Sequence, residues 1–353
     1  MIIGVIGHGA SGASALVDIL KEFDELKMSK LEREFPIAYA PDGLLDLEYH
    51  LVNQPVRYYS SDIAIYRFLE YVKKEQKYNI HFSKNTNGQF QRISEKYIEK
   101  LTQIKWRGYW YFDYYFHSLL YDKVIFALGH RIDQKIKKLT TIRISKRRFM
   151  HLSVQPDNFY EASREYIRDI LKAMGLDLNE KILLDQPFPY NDPESCFKFF
   201  DDPVAIVLNR DPRDVYVFFK EYISETESWL ACDSVEDFIN YYKLIRKKKY
   251  VDSDRIITLQ YEDLVFHYDD IRNKLVKLLK IKNTCENRRN LFFKPEISIG
   301  NVQIYKRFPE LDNDIKKIED ELGDYLYPYP NEFAGMDISK GEIILYTKSQ
   351  KKK

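Results

Sequence analysis

Residues 7–14 hold three glycines and two serines, a composition suited to binding a phosphate group. The spacing Gly-x-Gly-x-x-Gly matches the dinucleotide-binding fingerprint. The spacing Gly-x-x-x-x-Gly-x-Ser matches a phosphate-binding loop in which Ala13 occupies the usual lysine position. Glycine lets the main chain approach a phosphate closely, and the amides of a following helix point at it. The stretch therefore predicts an anion-binding turn and leaves both ligand classes open.

Apolar runs position this turn and two other groups of charged residues. The run 2–6 precedes the turn, and apolar residues repeat with helical spacing over 15–20, so a buried strand, a turn and a helix are expected. Further strands are predicted at 35–40, 181–185, 203–208 and 255–259. Because α/β sheets bind ligands at the carboxyl ends of their strands, Asp185 and Arg210 are expected at the same edge as the turn.

The alternation of strands and helices predicts an α/β protein with a parallel sheet and helices on both faces. We predict one α/β domain over residues 1–330, with a helical insertion at 76–151 and a C-terminal tail at 331–353. The insertion contains an aromatic run at 106–117, which suits a helix–helix interface or the wall of an acceptor cleft. Its basic stretch at 131–148 suits a solvated face, an anionic acceptor or peripheral contact with a membrane surface.

The overall composition describes a chain with ample apolar residues for a core and no strong charge. Apolar residues make up 44% and charged residues 31%, and the net charge is +1, so nothing global favours nucleic acid as a partner. Three widely spaced cysteines form no zinc pattern and favour reduced thiols. No signal peptide and no bilayer-spanning stretch is recognised. We therefore expect a cytoplasmic protein, and no metal-binding constellation is recognised in the sequence.

Residues 210–215 (RDPRDV) and 261–265 (YEDLV) resemble motifs of the sulfotransferase family, which takes a sulfuryl group from 3′-phosphoadenosine 5′-phosphosulfate. Two further features are similar to the family and stand in its order. They are the turn after the first strand and a late loop with Gly300, Lys306 and Arg307 before a final helix. The resemblance implies a P-loop-like sulfotransferase architecture and a hydroxyl acceptor on a carbohydrate or glycolipid.

The resemblance also implies roles for individual residues. Main-chain amides of the turn would hold the 5′-phosphate with help from the hydroxyls of Ser11 and Ser14, and Arg210 would grip the 3′-phosphate with its fork of donors. The implied cofactor-binding residues are Ser11, Gly12, Ala13, Ser14, Arg210, Lys306 and Arg307. The alternative for Arg210 is an ion pair with Asp211 or Asp214.

Two positions depart from the family pattern. Ala10 stands where the family usually has Lys or Arg, and Phe218 stands where it often has a serine that contacts the 3′-phosphate. The turn thus has no Lys or Arg, and positive charge must come from His8 or from outside the turn. The outside candidates are Arg210, Lys306 and Arg307.

Sulfuryl transfer also needs a base that accepts the proton of the acceptor hydroxyl. Asp185 is one candidate, and its alternative role is a helix cap or an arginine partner. His8 is the other, as a base or as the missing cation, and its alternative role is a hydrogen-bonded turn residue. The polar cluster 261–263 is expected to fasten loops together.

Two other functions stay open. Ala10 and Phe218 suit a non-catalytic or differently catalytic nucleotide-binding relative that acts in glycan assembly. A dinucleotide-dependent oxidoreductase would need an acidic residue at the end of the second strand to hold a ribose, and Asp42 is the candidate. In that interpretation the block 210–215 has no role.

Overall fold

The computed structural model describes residues 1–54, 58–108, 110, 128–129, 131–136, 148–223, 230–248 and 250–329. The predicted tail, most of the aromatic run and much of the basic stretch lie outside these residues. The chain forms two compact units. The first combines Met1–Pro36 with Met174–Lys353, and the second is Ile37–Ala173.

Strands and helices alternate along the first unit, and helices predominate in the second. The strands are β1 (Ile2–Gly7), β2 (Leu26–Lys27), β3 (Ile104–Gly108), β4 (Arg148–Leu152), β5 (Lys181–Asp185), β6 (Pro203–Asn209) and β7 (Ile256–Gln260). The α-helices are α1 (Ala13–Lys21), α2 (Leu44–Glu48), α3 (Tyr58–Tyr78), α4 (Phe90–Leu101), α5 (Phe159–Ala173), α6 (Pro212–Tyr222), α7 (Val235–Ile245), α8 (Tyr261–Phe266), α9 (Tyr268–Leu278), α10 (Pro295–Ser298) and α11 (Asp312–Glu321).

The first unit is built on a five-stranded parallel sheet in the order β2-β5-β1-β6-β7. The central strand β1 is apolar along almost its whole length, as expected where both faces are covered. Ile3 and Val5 belong to a core cluster that also includes buried residues of α1 and α9. A second apolar cluster joins α6, α7 and α11. The predicted α/β class, with a parallel sheet flanked by helices, is confirmed.

The strands predicted at 181–185, 203–208 and 255–259 correspond to β5, β6 and β7, but the strand predicted at 35–40 is wrong. Glu34 forms one parallel bridge with Asp185, and the Phe35 amide donates to the Asp185 oxygen (2.8 Å). Pro36 has no N–H to continue the ladder, and the chain turns into a short 3₁₀ helix, Pro36–Ala38.

The second unit packs α3, α4 and α5 together and adds an antiparallel pair, β3 with β4. The rings of Tyr97 and Tyr166 stack at 4.5 Å between α4 and α5, and the Ser94 hydroxyl lies 2.7 Å from that of Tyr166. The region predicted as a helical insertion, 76–151, lies inside this unit and contributes β3 and most of β4 as well as α4. Within the described ranges, no helix combines the length and apolar composition needed to cross a bilayer.

Candidate functional site

The turn after β1 leads directly into the amino terminus of α1. Gly12 is the N-cap residue, with φ +83°, and no side chain caps the helix. The Ser11 amide donates to the His8 oxygen (2.9 Å), which closes the turn, and Ala10 also has a positive φ of 62°. The first amides of an α-helix have no acceptor within the helix. The helix therefore presents uncapped N–H groups and the positive end of its dipole to the turn.

The Ser11 side chain points into this turn. Its hydroxyl is buried, and it has no hydrogen-bond partner among the described residues. A Cβ atom on Gly7 would lie only 2.2 Å from the Ser11 Oγ, so glycine at position 7 is what allows this orientation. A buried hydroxyl without a partner is unfavourable, and an oxygen of a bound anion would satisfy it.

The site lies where the chain changes direction across the sheet. After β1 the chain continues to β2 on one side, and after β6 it continues to β7 on the other. Open α/β sheets bind ligands in the crevice at such a switch point. Gly7 and Leu208 are paired in the register of β1 and β6. The turn after β1 and the start of the 210–215 block therefore meet at this crevice.

Arg210 bridges two loops at the crevice. Its Nη1 donates to the Ala10 oxygen (2.9 Å) and its Nη2 to the Asn301 oxygen (2.5 Å), while its Nε has no partner among the described residues. The guanidinium lies 5.1 Å from the centre of the Phe218 ring and 5.0 Å from that of the Tyr261 ring. The fork is thus engaged with main-chain oxygens, and Phe218 is one wall of its aromatic surroundings.

The two aspartates considered as partners of Arg210 have other hydrogen-bond donors. Asp211 caps α6 by accepting from the Arg213 amide, and it forms a salt bridge with that arginine (2.7 Å). Asp214 accepts from the Gln303 amide (2.7 Å). Burial raises the pKa of Asp214 to about 7, although the positive charge of Arg210 opposes the rise.

The polar cluster 261–263 fastens elements together, as predicted. All three side chains take part in a hydrogen bond to a distant segment. The bonds are Tyr261 Oη to the Ser298 oxygen (3.2 Å), the Asp211 amide to Glu262 Oε1 (2.9 Å) and Tyr327 Oη to Asp263 Oδ1 (2.7 Å). These contacts hold the carboxyl end of β7 against β6 and the late loop.

The late loop approaches the crevice through its main chain. Asn301 accepts from Arg210, and the Gln303 amide donates to Asp214. Lys306 Nζ donates to the Gln303 side chain (2.8 Å), so its ammonium group is directed at its own loop. The charge of Arg307 acts on Tyr222 near the end of α6, where it opposes the burial that raises the pKa of the phenol.

The residue that follows strand β5, Gln186, contacts the turn. Asp185 ends β5 beside Val5, which confirms its predicted place at a carboxyl end. The following residue, Gln186, exchanges two hydrogen bonds of 3.3 Å with the main chain of Gly7. Gln186 therefore supports the base of the turn directly, whereas Asp185 lies two positions earlier in the register.

His8 is enclosed by aromatic side chains. Its Nε2 lies 3.2 Å from the Tyr241 hydroxyl, and its ring packs 5.8 Å from that of Tyr190. Burial, together with the positive charge of Arg246, lowers the pKa of His8 from 6.5 to about 4. At neutral pH His8 is therefore uncharged and does not replace the cation that the turn lacks. A neutral imidazole keeps one nitrogen able to accept a proton.

Sequence reasoning missed Arg246, which lies near His8 and donates from Nη1 to the Asn209 side chain (3.3 Å). It opens the basic run 246–249 just after α7, a pattern typical of a solvated helix end. Nothing in its spacing indicates proximity to a turn at the other end of the chain.

Comparison of the sequence with models of known protein families gives no match, and a search of curated proteins gives none. The resemblance to sulfotransferases therefore remains a prediction from the motifs.

Proposed function

We propose that this protein is a sulfotransferase that binds 3′-phosphoadenosine 5′-phosphosulfate at residues 7–14 and modifies a hydroxyl of a carbohydrate or glycolipid. One observation carries the proposal: an uncapped helix amino terminus, a glycine turn and Arg210 lie together at the switch point between β1 and β6. This combination suits a ligand with more than one phosphate group. The RDPRDV resemblance supports the choice of donor.

The turn and Arg210 offer separate donors for the two phosphates. The amides at the start of α1 suit the 5′-phosphate, and the Ser11 hydroxyl would gain the partner that it lacks. Arg210 has a buried Nε without a partner, which leaves a donor for the 3′-phosphate.

In the proposed reaction the acceptor hydroxyl oxygen attacks the sulfur. The bond between sulfur and the bridging oxygen breaks, and 3′-phosphoadenosine 5′-phosphate leaves. The hydroxyl proton passes to a base, for which His8 and Asp185 are the candidates. As in phosphoryl transfer, alignment and charge stabilisation make up most of the catalysis.

A non-catalytic nucleotide-binding relative is the second candidate. It is favoured by Ala10 and Ala13, which leave the turn without a cation, and by the uncharged state of His8. The dinucleotide interpretation loses support for two reasons. In the sheet, β5 lies between β1 and β2, whereas dinucleotide-binding sheets pair their first two strands. Asp42 forms a salt bridge with Arg67 (2.8 Å) in the second unit.

Calorimetric titration with 3′-phosphoadenosine 5′-phosphate tests the proposal. We expect binding that weakens by about tenfold in Ser11→Ala, equivalent to one lost hydrogen bond. Stability should not fall in that variant, because the removed hydroxyl has no partner. The control Ser234→Ala removes the cap of α7 and should do the reverse, lowering stability without changing affinity.

Absence of binding at millimolar nucleotide would reject the site. Tighter binding of adenosine 5′-phosphate would reject the role of the 3′-phosphate. Transfer of sulfur-35 from labelled donor to a panel of polysaccharides and glycolipids then separates the two candidates. Binding without transfer to any acceptor favours the non-catalytic relative.

A further inference from the structure

Arg246 is held by aromatic rings rather than by carboxylates. Its guanidinium lies 4.2 Å from the ring centre of Tyr242, 5.3 Å from that of Tyr190 and 5.2 Å from that of Tyr325. These distances are within the range of cation–π contacts. The hydrogen bond to Asn209 is long, and the buried Nε has no partner among the described residues.

Two buried arginines of the first unit have an acidic partner, whereas a third, Arg210, donates to main-chain oxygens. Arg213 pairs with Asp211 and Glu319, and Arg272 pairs with Glu22. For Arg246, no carboxylate in the described part of the chain comes within salt-bridge distance. A guanidinium has five N–H donors, and taking it partly out of water without a counter-charge is unfavourable. The arrangement is therefore suited to an anion that comes from outside the chain.

The position of Arg246 shows where that anion would lie. Asn209 ends β6 at the switch point, and its side chain also accepts from the Tyr190 hydroxyl (2.7 Å). Tyr190 packs against His8 of the turn. Arg246 also lies close enough for its charge to act on His8. Together with burial, that charge lowers the pKa of the imidazole. Arg246 thus lies on the His8 side of the crevice, whereas Arg210 contacts the turn at Ala10.

We propose that Arg246 binds the sulfonate group of the donor, with Asn209 orienting the guanidinium. This inference rests on the proposed function, since it assigns one more group of the same ligand. It places just after the end of α7 the positive charge that the turn lacks at positions 10 and 13. In the transfer step this charge would stabilise the sulfonate oxygens while the bond to the leaving phosphate breaks.

Paired titrations separate this role from general nucleotide binding. We expect Arg246→Gln to weaken binding of 3′-phosphoadenosine 5′-phosphosulfate by about tenfold or more and to leave 3′-phosphoadenosine 5′-phosphate within about twofold. Arg246→Lys keeps the charge and should recover part of the loss. The matched control is Arg255→Gln, because Arg255 also stacks on a ring, that of Phe197 (4.6 Å), but contacts Pro203 at the opposite end of β6.

Equal loss for both nucleotides in Arg246→Gln, or loss for neither, would overturn the assignment. If the unmodified protein binds neither nucleotide, the proposed function fails, and inorganic sulfate then tests the anion site alone. Sulfate bound at Arg246 should raise the pKa of His8 by about 0.5, followed by NMR of the imidazole, and should not do so in Arg246→Gln. The same response in both proteins, or none in either, would show that Arg246 is not an oxyanion site.

Discussion

Arg210 donates a hydrogen bond of 2.9 Å from Nη1 to the main-chain oxygen of Ala10. This contact joins the end of β6 to the turn after β1. The turn itself contains no Lys or Arg, so Arg210 brings a positive charge beside the main chain of Ala10.

Replacing Arg210 should destabilise the first unit. Arg210→Met leaves the oxygens of Ala10 and Asn301 without this donor in a buried place, and we expect the free energy of unfolding to fall by about 2–4 kcal/mol. Urea unfolding followed by circular dichroism measures the change. Arg255→Met, at an exposed position, should cost less than about 1 kcal/mol. A similar loss in both variants would contradict the bridging role.

Gly12 is required both by its backbone angle and by its neighbour. A Cβ atom at Gly12 would lie 2.6 Å from the Tyr261 ring, and φ is +83°. Gly175 has nearly the same φ, +82°, with no atom within 4 Å of such a Cβ. In Gly175→Ala, backbone strain alone should therefore lower the free energy of unfolding by about 1 kcal/mol. In Gly12→Ala, the clash with the ring should lower it by about 1–3 kcal/mol more. Thermal and urea unfolding measure both stabilities. Equal losses in the two variants would show that the Tyr261 ring moves aside at no cost.

His8 should make stability fall as the solution becomes acidic. Its pKa is lowered from 6.5 to about 4 by burial and by Arg246, so the unfolded chain binds more protons between these values. The contribution of the neutral imidazole is complete above pH 6.5 and is lost as pH falls towards 4. Between pH 7 and pH 4.5, the free energy of unfolding of the unmodified protein should fall by about 2 kcal/mol relative to that of His8→Gln. Parallel urea titrations at both pH values measure this difference, and an unchanged difference would contradict the burial of a neutral histidine.

Glu262 should have the opposite effect to His8, making stability fall as the solution becomes more alkaline. Burial, with a contribution from Asp211, raises its pKa from 4.5 to about 8, so the folded protein binds the extra proton. Stability associated with this proton is present below pH 4.5 and is lost as pH rises through 8. Glu262→Gln keeps an acceptor for the Asp211 amide. Between pH 5 and pH 8, the free energy of unfolding of Glu262→Gln should rise by on the order of 2–3 kcal/mol relative to that of the unmodified protein.

Unfolding midpoints measured across that pH range test the carboxyl group. The control is Glu296→Gln, which changes an exposed glutamate and should alter stability by less than about 0.5 kcal/mol at each pH. A pH response of Glu262→Gln that matches this control would show that Glu262 is ionised in the folded protein.

The sequence by itself determined the strand–turn–helix at the start of the chain and the strands β5, β6 and β7. Apolar periodicity and glycine spacing are local properties, so they could be read without knowing what packs against them. The same pattern placed Asp185 and Arg210 at carboxyl ends of strands. The pattern failed at 35–40. Pro36 has no N–H to donate to a strand ladder, and this outweighed the β-propensity of the neighbouring residues.

Only the tertiary structure decided the order of the strands, the partners of Arg210 and the surroundings of Arg246. These depend on pairing between residues far apart in the chain, which no local pattern encodes. The charge of His8 belongs with them, because a pKa near 4 arises from burial and from an arginine on another element. The sequence therefore indicated a turn without Lys or Arg of its own, and only the packing placed Arg210 beside Ala10 and Arg246 on the His8 side of the crevice.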